Sequence, residues 1–199
     1  MMRGFKTQKR LEKIIKAASA RQFTLRLVLE NIHDPHNVSA IFRTCDAVGV
    51  QKVSLIYNVE KFPKIGRVSS ASANKWVEFD KYVDAKTCFN ELRNQGLKIY
   101  STTLDEKAKD LYSLDLTEKV AIVVGNEHRG ISDEVRKLSD ELFFIPMSGM
   151  VQSLNVSVAA AVILYEAFRQ RFLKGMYSEE YVNKYKTEVE NLIDKWCEK

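Results

Sequence analysis

Apolar positions along this chain recur at two spacings. Over residues 6–20, Leu11, Ile14, Ile15 and Ala18 fall on one face of a predicted helix. From residue 24 the pattern changes to short β-branched runs alternating with helical stretches. TLRLVLENI (24–32) reads as a strand. HNVSAIFRTCDAVG (36–49) reads as a helix with Val38, Ile41, Phe42, Cys45 and Val48 on one face and Gly49 as its stop. KVSLIY (52–57) is the next strand. A polar, glycine- and serine-containing stretch from Asn58 to Asn74 precedes WVEFDKY and a helix through CFNELRNQG, ended by Gly96. LKIYSTT, KVAIVVG and ELFFIP are three further buried-looking strands, with a short helix SDEVRKL between the last two. The final segment, SEEYVNKYKTEVENLIDKWCEK (178–199), reads as one amphipathic helix with Tyr181, Tyr185, Val189, Leu192 and Trp196 along one side. That side suits packing on its own domain or on a second subunit.

Strands that alternate with helices predict an α/β domain whose mostly parallel sheet is covered on both faces. Ligands in such sheets bind at the carboxyl ends of the strands. Four polar or glycine-containing loops would share that edge: Asn31–Asn37, Ser101–Thr103, Gly125–Gly130 and Pro146–Gly149. One run is anomalous. In IPMSGMVQSLNVSVAAAVILYE (145–166), Gln152, Ser153, Asn155 and Ser157 cluster where an apolar loop becomes a helix. Burying such groups unpaired costs about 1–3 kcal/mol each, so a function for them is expected.

The 199 residues suffice for one such domain with terminal extensions, and no internal repeat is present. No apolar stretch is long enough to span a bilayer, and MMRGFKTQKRLEKIIK lacks an apolar signal core, so a soluble, cytoplasmic protein is expected. Cys45, Cys88 and Cys197 are odd in number and lack CxxC spacing, which disfavours a disulfide framework and a zinc site. The net charge of +5 matters less than its placement. Arg3, Lys6, Lys9, Arg10, Lys13, Lys16 and Arg21 crowd the start, and Arg169, Arg171 and Lys174 close a later helix. Two such clusters suit a polyanionic partner, although lysine-rich faces are as often plain solvated surface.

There is no GxGxxG after the first strand and no GxxxxGK[ST], which disfavours a dinucleotide-binding Rossmann enzyme and a P-loop NTPase. Ser153 sits in VQSLN rather than a GxSxG elbow, which disfavours a serine hydrolase. His33, Asp34, His36, Glu127 and His128 lack a second pair at ligand spacing and read as loop residues rather than a metal site. Asn37 and Arg43 lie six residues apart on a helix whose other face is apolar. Taken singly they read as a helix cap and a solvated arginine, and Glu127 as a turn residue.

Their conjunction changes that balance. N37-V-S-A-I-F-R43, G125-N-E-H-R-G130 and I145-P-M-S-G-M-V-Q-S153-L-N155-V-S-V-A-A-A resemble the three ordered motifs of the SpoU (TrmH) family of RNA ribose 2′-O-methyltransferases. With flanking strands the resemblance covers residues 24 to 170. The basic first helix and aromatic last helix resemble the extensions of the tRNA guanosine-18 branch. The resemblance implies the SPOUT α/β-knot fold, with a deep trefoil knot that pattern rules alone would reject. It divides the chain into a basic helical extension (1–22), a methyltransferase domain (23–173) and a C-terminal helical extension (174–199).

The family implies S-adenosylmethionine as methyl donor, contacted here by Ile145, Met147 and Leu154, with Gly125, Thr102 and Thr103 closing the pocket. For catalysis it nominates Asn37, Arg43, Glu127, Ser153 and Asn155. Arg43 is the family's proposed base, yet a guanidinium seldom gives up its proton, so bidentate clamping of phosphate and ribose is the role expected for it. Glu127 would orient Arg43 or Asn37, and Asn155 the 2′-hydroxyl. Arg10, His36, Arg169 and Arg171 become RNA contacts, and a homodimer is implied, its interface formed by the apolar stripes of the last helix and residues 155–168. The implied substrate is a D-loop guanosine of tRNA. Ribosomal RNA, the tRNA wobble ribose and a non-catalytic RNA-binding module are the alternatives.

Overall fold

The computed structural model describes residues 2–62, 73–105 and 107–199, the side chains of residues 2 and 5 excepted. Most of the polar stretch expected from Asn58 to Asn74 lies outside the described residues. Seven strands form one sheet: β1 (Gln22–Glu30), β2 (Val50–Ile56), β3 (Glu78–Tyr82), β4 (Lys98–Thr102), β5 (Lys109–Asp110), β6 (Val120–Val124) and β7 (Glu141–Phe144). Their order is β3-β2-β1-β6-β4-β7-β5, and every pairing is parallel. Pattern reading recovers every strand except the two-residue β5, which is too short to carry a period.

Alternation sends the two sides of each central strand into separate cores. Leu25, Leu27 and Leu29 of β1, with Val120, Ile122 and Val124 of β6, pack under α2 (Pro35–Val48) and α5 (Val156–Leu173). Val28, Ala121 and Val123 face the other way, against α3 (Ala85–Asn94) and α4 (Asp133–Leu138). Burial on both faces is the condition under which a parallel sheet is stable. After α2, Gly49 turns the chain at φ +83°, and a Cβ there would lie 2.2 Å from the carbonyl oxygen of Ala20. Only glycine admits that approach.

The chain ends meet. The first helix, α1 (Gln8–Ser19), buries Ile14 and Ala18 against Val189, Leu192, Ile193 and Trp196. The segment expected to be one terminal helix is two, α6 (Glu179–Asn183) and α7 (Lys186–Cys197). The break falls at Tyr185, whose backbone (φ −118°, ψ 27°) leaves the helix while its ring packs on Phe23 and Tyr181. The bend lets α7 lie on α1. Its apolar stripe is therefore consumed within the chain, which corrects its expected use at a dimer interface. Among the described residues no helix is long and apolar enough to cross a membrane.

Candidate active site

Two helices begin at one place, and their first residues build the site. Asp34 caps α2, its Oδ1 accepting from the His36 amide at 2.8 Å, with Pro35 in the first turn. That capping leaves the Asn37 side chain free, contrary to its reading as a helix cap. The Asn37 Nδ2 donates to Glu127 Oε1 at 2.8 Å. The Glu127 carboxylate also accepts from the backbone amides of His33 at 2.9 Å and Asp34 at 3.2 Å. Asn155 caps α5 through its Oδ1, and its Nδ2 donates to Asn37 Oδ1 at 3.2 Å. The result is one continuous chain, Asn155 to Asn37 to Glu127 to the amides ahead of α2.

This arrangement fixes the charge on Glu127. Partial burial raises its pKa, but the hydrogen bonds from Asn37, His33 and Asp34 outweigh that and hold it below the usual carboxylate range. Glu127 is an anion whose lone pairs are already engaged. Arg43, on the same helix as Asn37, is exposed and makes no hydrogen bond or ion pair among the described residues. Its guanidinium fork is available to an incoming anion.

A cavity of about 1120 Å³ opens at the carboxyl ends of β4, β6 and β7. Thr102, Thr103, Gly125, Ile145, Met147 and Leu154 all line it, as do Glu127, Ser153 and Asn155. Gln152, Ser153 and Asn155 are exposed there, not buried, which corrects the premise that they carry a burial cost. They form a polar wall. At Gly125 a Cβ would lie 2.2 Å from the Gly130 carbonyl carbon, so the residue is needed first for the hairpin-like closure of 125–130 and only then for the cavity. The pocket suits S-adenosylmethionine on its chemistry. Ile145, Met147 and Leu154 offer apolar surface to a purine, while Asp105 and Arg136 bring opposite charges for a zwitterionic tail. Among the described residues no cluster could hold a metal ion.

The expected RNA contacts separate into three kinds. Arg10 and His36 are exposed, with the Arg10 guanidinium 5.0 Å above the Trp76 ring. Arg169 is exposed but paired with Glu166 through two hydrogen bonds of 2.8 Å. Arg171 is fully buried and cannot meet RNA, which corrects its assignment. It donates to the carbonyl oxygens of Leu116, Thr24 and Glu118 and to the side chains of Gln22 and Thr24. Loss of hydration lowers its pKa, yet every donor direction is satisfied. Pattern reading passed over two further residues, Asn31 and Asn126, which tie the loops together. The signal was an asparagine ending a strand, the residue type most tolerant of positive φ after glycine.

The description SpoU rRNA Methylase family matches residues 24–165. A Thermus thermophilus protein named tRNA (guanosine(18)-2'-O)-methyltransferase is 44% identical over 172 residues, 86% of this chain and 88% of its own. The Aquifex aeolicus protein of that name is 39% identical over 190 residues, 96% of this chain and 89% of its own. Among solved structures, the A. aeolicus TrmH/SpoU tRNA modifying enzyme superposes with a TM-score of 0.83 at 38% identity. That match covers 96% of this chain and 95% of the other. The SpoU methyltransferase AviRb from Streptomyces viridochromogenes, solved in complex with the cofactor AdoMet, gives a TM-score of 0.67 at 25% identity, covering 74% and 57%.

Proposed function

This chain belongs to the SpoU rRNA Methylase family, and from that premise we propose that it is a tRNA (guanosine-18) 2′-O-methyltransferase using S-adenosylmethionine. The fold is SPOUT, and its trefoil knot is part of the proposal. The observation that carries the reading is the Asn155–Asn37–Glu127 chain at the rim of the cavity.

S-adenosylmethionine supplies a methyl group made electrophilic by its sulfonium. The chain's own residues align the nucleophile. Asn37 and Asn155, each held by a neighbour, present amide groups to a ribose 2′-hydroxyl. Glu127 spends its lone pairs on Asn37 and two backbone amides, so it orients rather than accepts the substrate proton. Arg43 grips the adjoining phosphate bidentately, and the proton leaves late, to water. Ser153 completes the polar wall.

Arg10 and His36 serve as RNA contacts, with Arg169 joining once Glu166 releases it. A second copy covers the outer face of α5, where Tyr165, Phe172 and Leu173 are 53%, 61% and 73% exposed. The chain works in the cytoplasm, where tRNA is the polyanion that its basic first helix meets.

The test is transfer of labelled methyl from S-adenosylmethionine to unfractionated tRNA and, in parallel, to ribosomal RNA by the wild type and Arg43→Ala, with mapping of the modified ribose. Label at the D-loop guanosine, lost in the variant, supports the proposal. Label confined to ribosomal RNA or the wobble ribose overturns the substrate, and binding without transfer overturns the enzyme.

A further inference from the structure

Asn31 is the one described non-glycine residue with positive φ, at +50°. Such backbone costs energy and persists only where its surroundings over-determine it. Here they do. The Asn31 Oδ1 accepts from three successive amides, Asn58, Val59 and Glu60, each at 3.1 Å. Its Nδ2 donates to Asn58 Oδ1 at 2.8 Å, and its amide donates to the Ile56 carbonyl at 2.9 Å. The left-handed turn leaves the Asn31 carbonyl to accept from Asn126 Nδ2 at 2.7 Å. Asn126 is used as fully. Its Oδ1 accepts from the amides of His128 and Arg129 at 3.0 and 3.1 Å, and its backbone pairs both ways with Gly130 at 2.9 Å.

These contacts close a ring. From the Asn31 carbonyl it runs through the Asn126 side chain and the peptide to Glu127, from the Glu127 carboxylate to the amides of His33 and Asp34, and back along the chain. Asn31 and Asn126 are 6% and 5% exposed, so neither depends on solvent for a partner. We propose that Asn31 and Asn126 are positioning residues for the methyl transfer: their ring fixes where the Glu127 carboxylate meets Asn37. Asn31 touches no reacting group: its side chain holds residues 58–60 and the left-handed backbone that aims its carbonyl at Asn126. The loop after β2 joins the site by the same means, because Asn31 anchors residues 58–60. This inference rests on the function proposed above.

Three variants test it. Asn31→Gly keeps the left-handed backbone and removes the side chain. Asn126→Ala cuts the ring at the Asn31 carbonyl, and Asn31→Asp restores the oxygen that accepts the three amides. Misplacement of a catalytic group on the scale of 1 Å costs about a hundredfold in rate, so a partial loosening is expected to lower kcat by about tenfold or more. The KM for S-adenosylmethionine should stay within about twofold in Asn31→Gly, and Asn31→Asp should regain most of the rate lost in Asn31→Gly. The deciding readout is independent of activity. Carbon-13 NMR titration of the Glu127 carboxyl, assigned with Glu127→Gln, should show its pKa rising toward the ordinary value in Asn31→Gly and Asn126→Ala. An unchanged Glu127 titration in the folded variants overturns the proposal, whatever the rates. Should the wild type transfer no methyl to RNA, the functional reading fails by itself and the titration still decides the ring.

Discussion

Replacing Arg171 by methionine keeps much of the side-chain volume and removes every donor. The wild-type guanidinium makes five hydrogen bonds, of 2.8, 3.2, 2.8, 3.1 and 2.7 Å. Thr24 Oγ1 keeps the Tyr181 hydroxyl as a partner, so four acceptors are left unpaired at about 1–3 kcal/mol each, an unrelaxed sum of about 4–12 kcal/mol. Two effects reduce it. Acceptors sharing one partner do not lose their bonds additively, and the variant no longer dehydrates a cation. A net loss of about 3 kcal/mol is expected, a large share of the roughly 5–15 kcal/mol that holds a domain folded. For a chain of this length that is a fall in Tm of about 6–12 °C. Urea unfolding followed by circular dichroism, at fixed protein concentration, should show a lower midpoint with an unchanged slope. Arg171→Lys, with three donors, should fall between. A loss below about 1 kcal/mol, together with weaker tRNA binding and a shallower salt dependence, would refute the reasoning and return Arg171 to the RNA-contact class.

Gly125→Ala places a Cβ 2.2–2.4 Å from the backbone of Gly130 and Ile131, so the 125–130 loop must move. Calorimetry should find S-adenosylmethionine binding weakened by about tenfold or more, and unchanged affinity would mean the loop yields cheaply. Arg43→Lys keeps the charge but loses the fork, and kcat/KM should fall by about tenfold or more, with near-normal turnover sinking the clamp. The Glu127 and Glu30 carboxylates titrate in opposite senses. Glu127 has a folded pKa below the usual 4.5, so its contribution is present above that value and lost as pH falls through the folded pKa. Glu30 is raised, by burial first, despite its bond from the Ser132 amide, so its contribution is fully present below 4.5 and declines as pH rises through the folded pKa. Stability measured from pH 3 to 8 should lose the first slope in Glu127→Gln and the second in Glu30→Gln, and matching wild-type curves would refute both.

The sequence by itself determined the architecture of the centre. Strands such as VAIVV are apolar on both faces because both faces are covered, and α2 shows its buried side at helical spacing; each pattern is local and survives in any context. The family resemblance of the three motifs pointed to residues that line the cavity and join in the Asn155–Asn37–Glu127 chain, although taken singly Asn37 and Glu127 read as a cap and a turn residue. What only the tertiary structure decided depends on residues distant in the chain. Arg169 and Arg171 look alike in RQRF, yet one is exposed and the other draws its acceptors from 53 to 149 residues away. The bend at Tyr185 arises because α7 must reach α1 at the opposite end of the chain. Asn31 becomes a hub only once β2 and the Gly125–Gly130 loop are brought beside β1. Local periodicity records which face of an element is dry, whereas the partner of a buried polar group is fixed by packing between elements, and no window of neighbouring residues contains it.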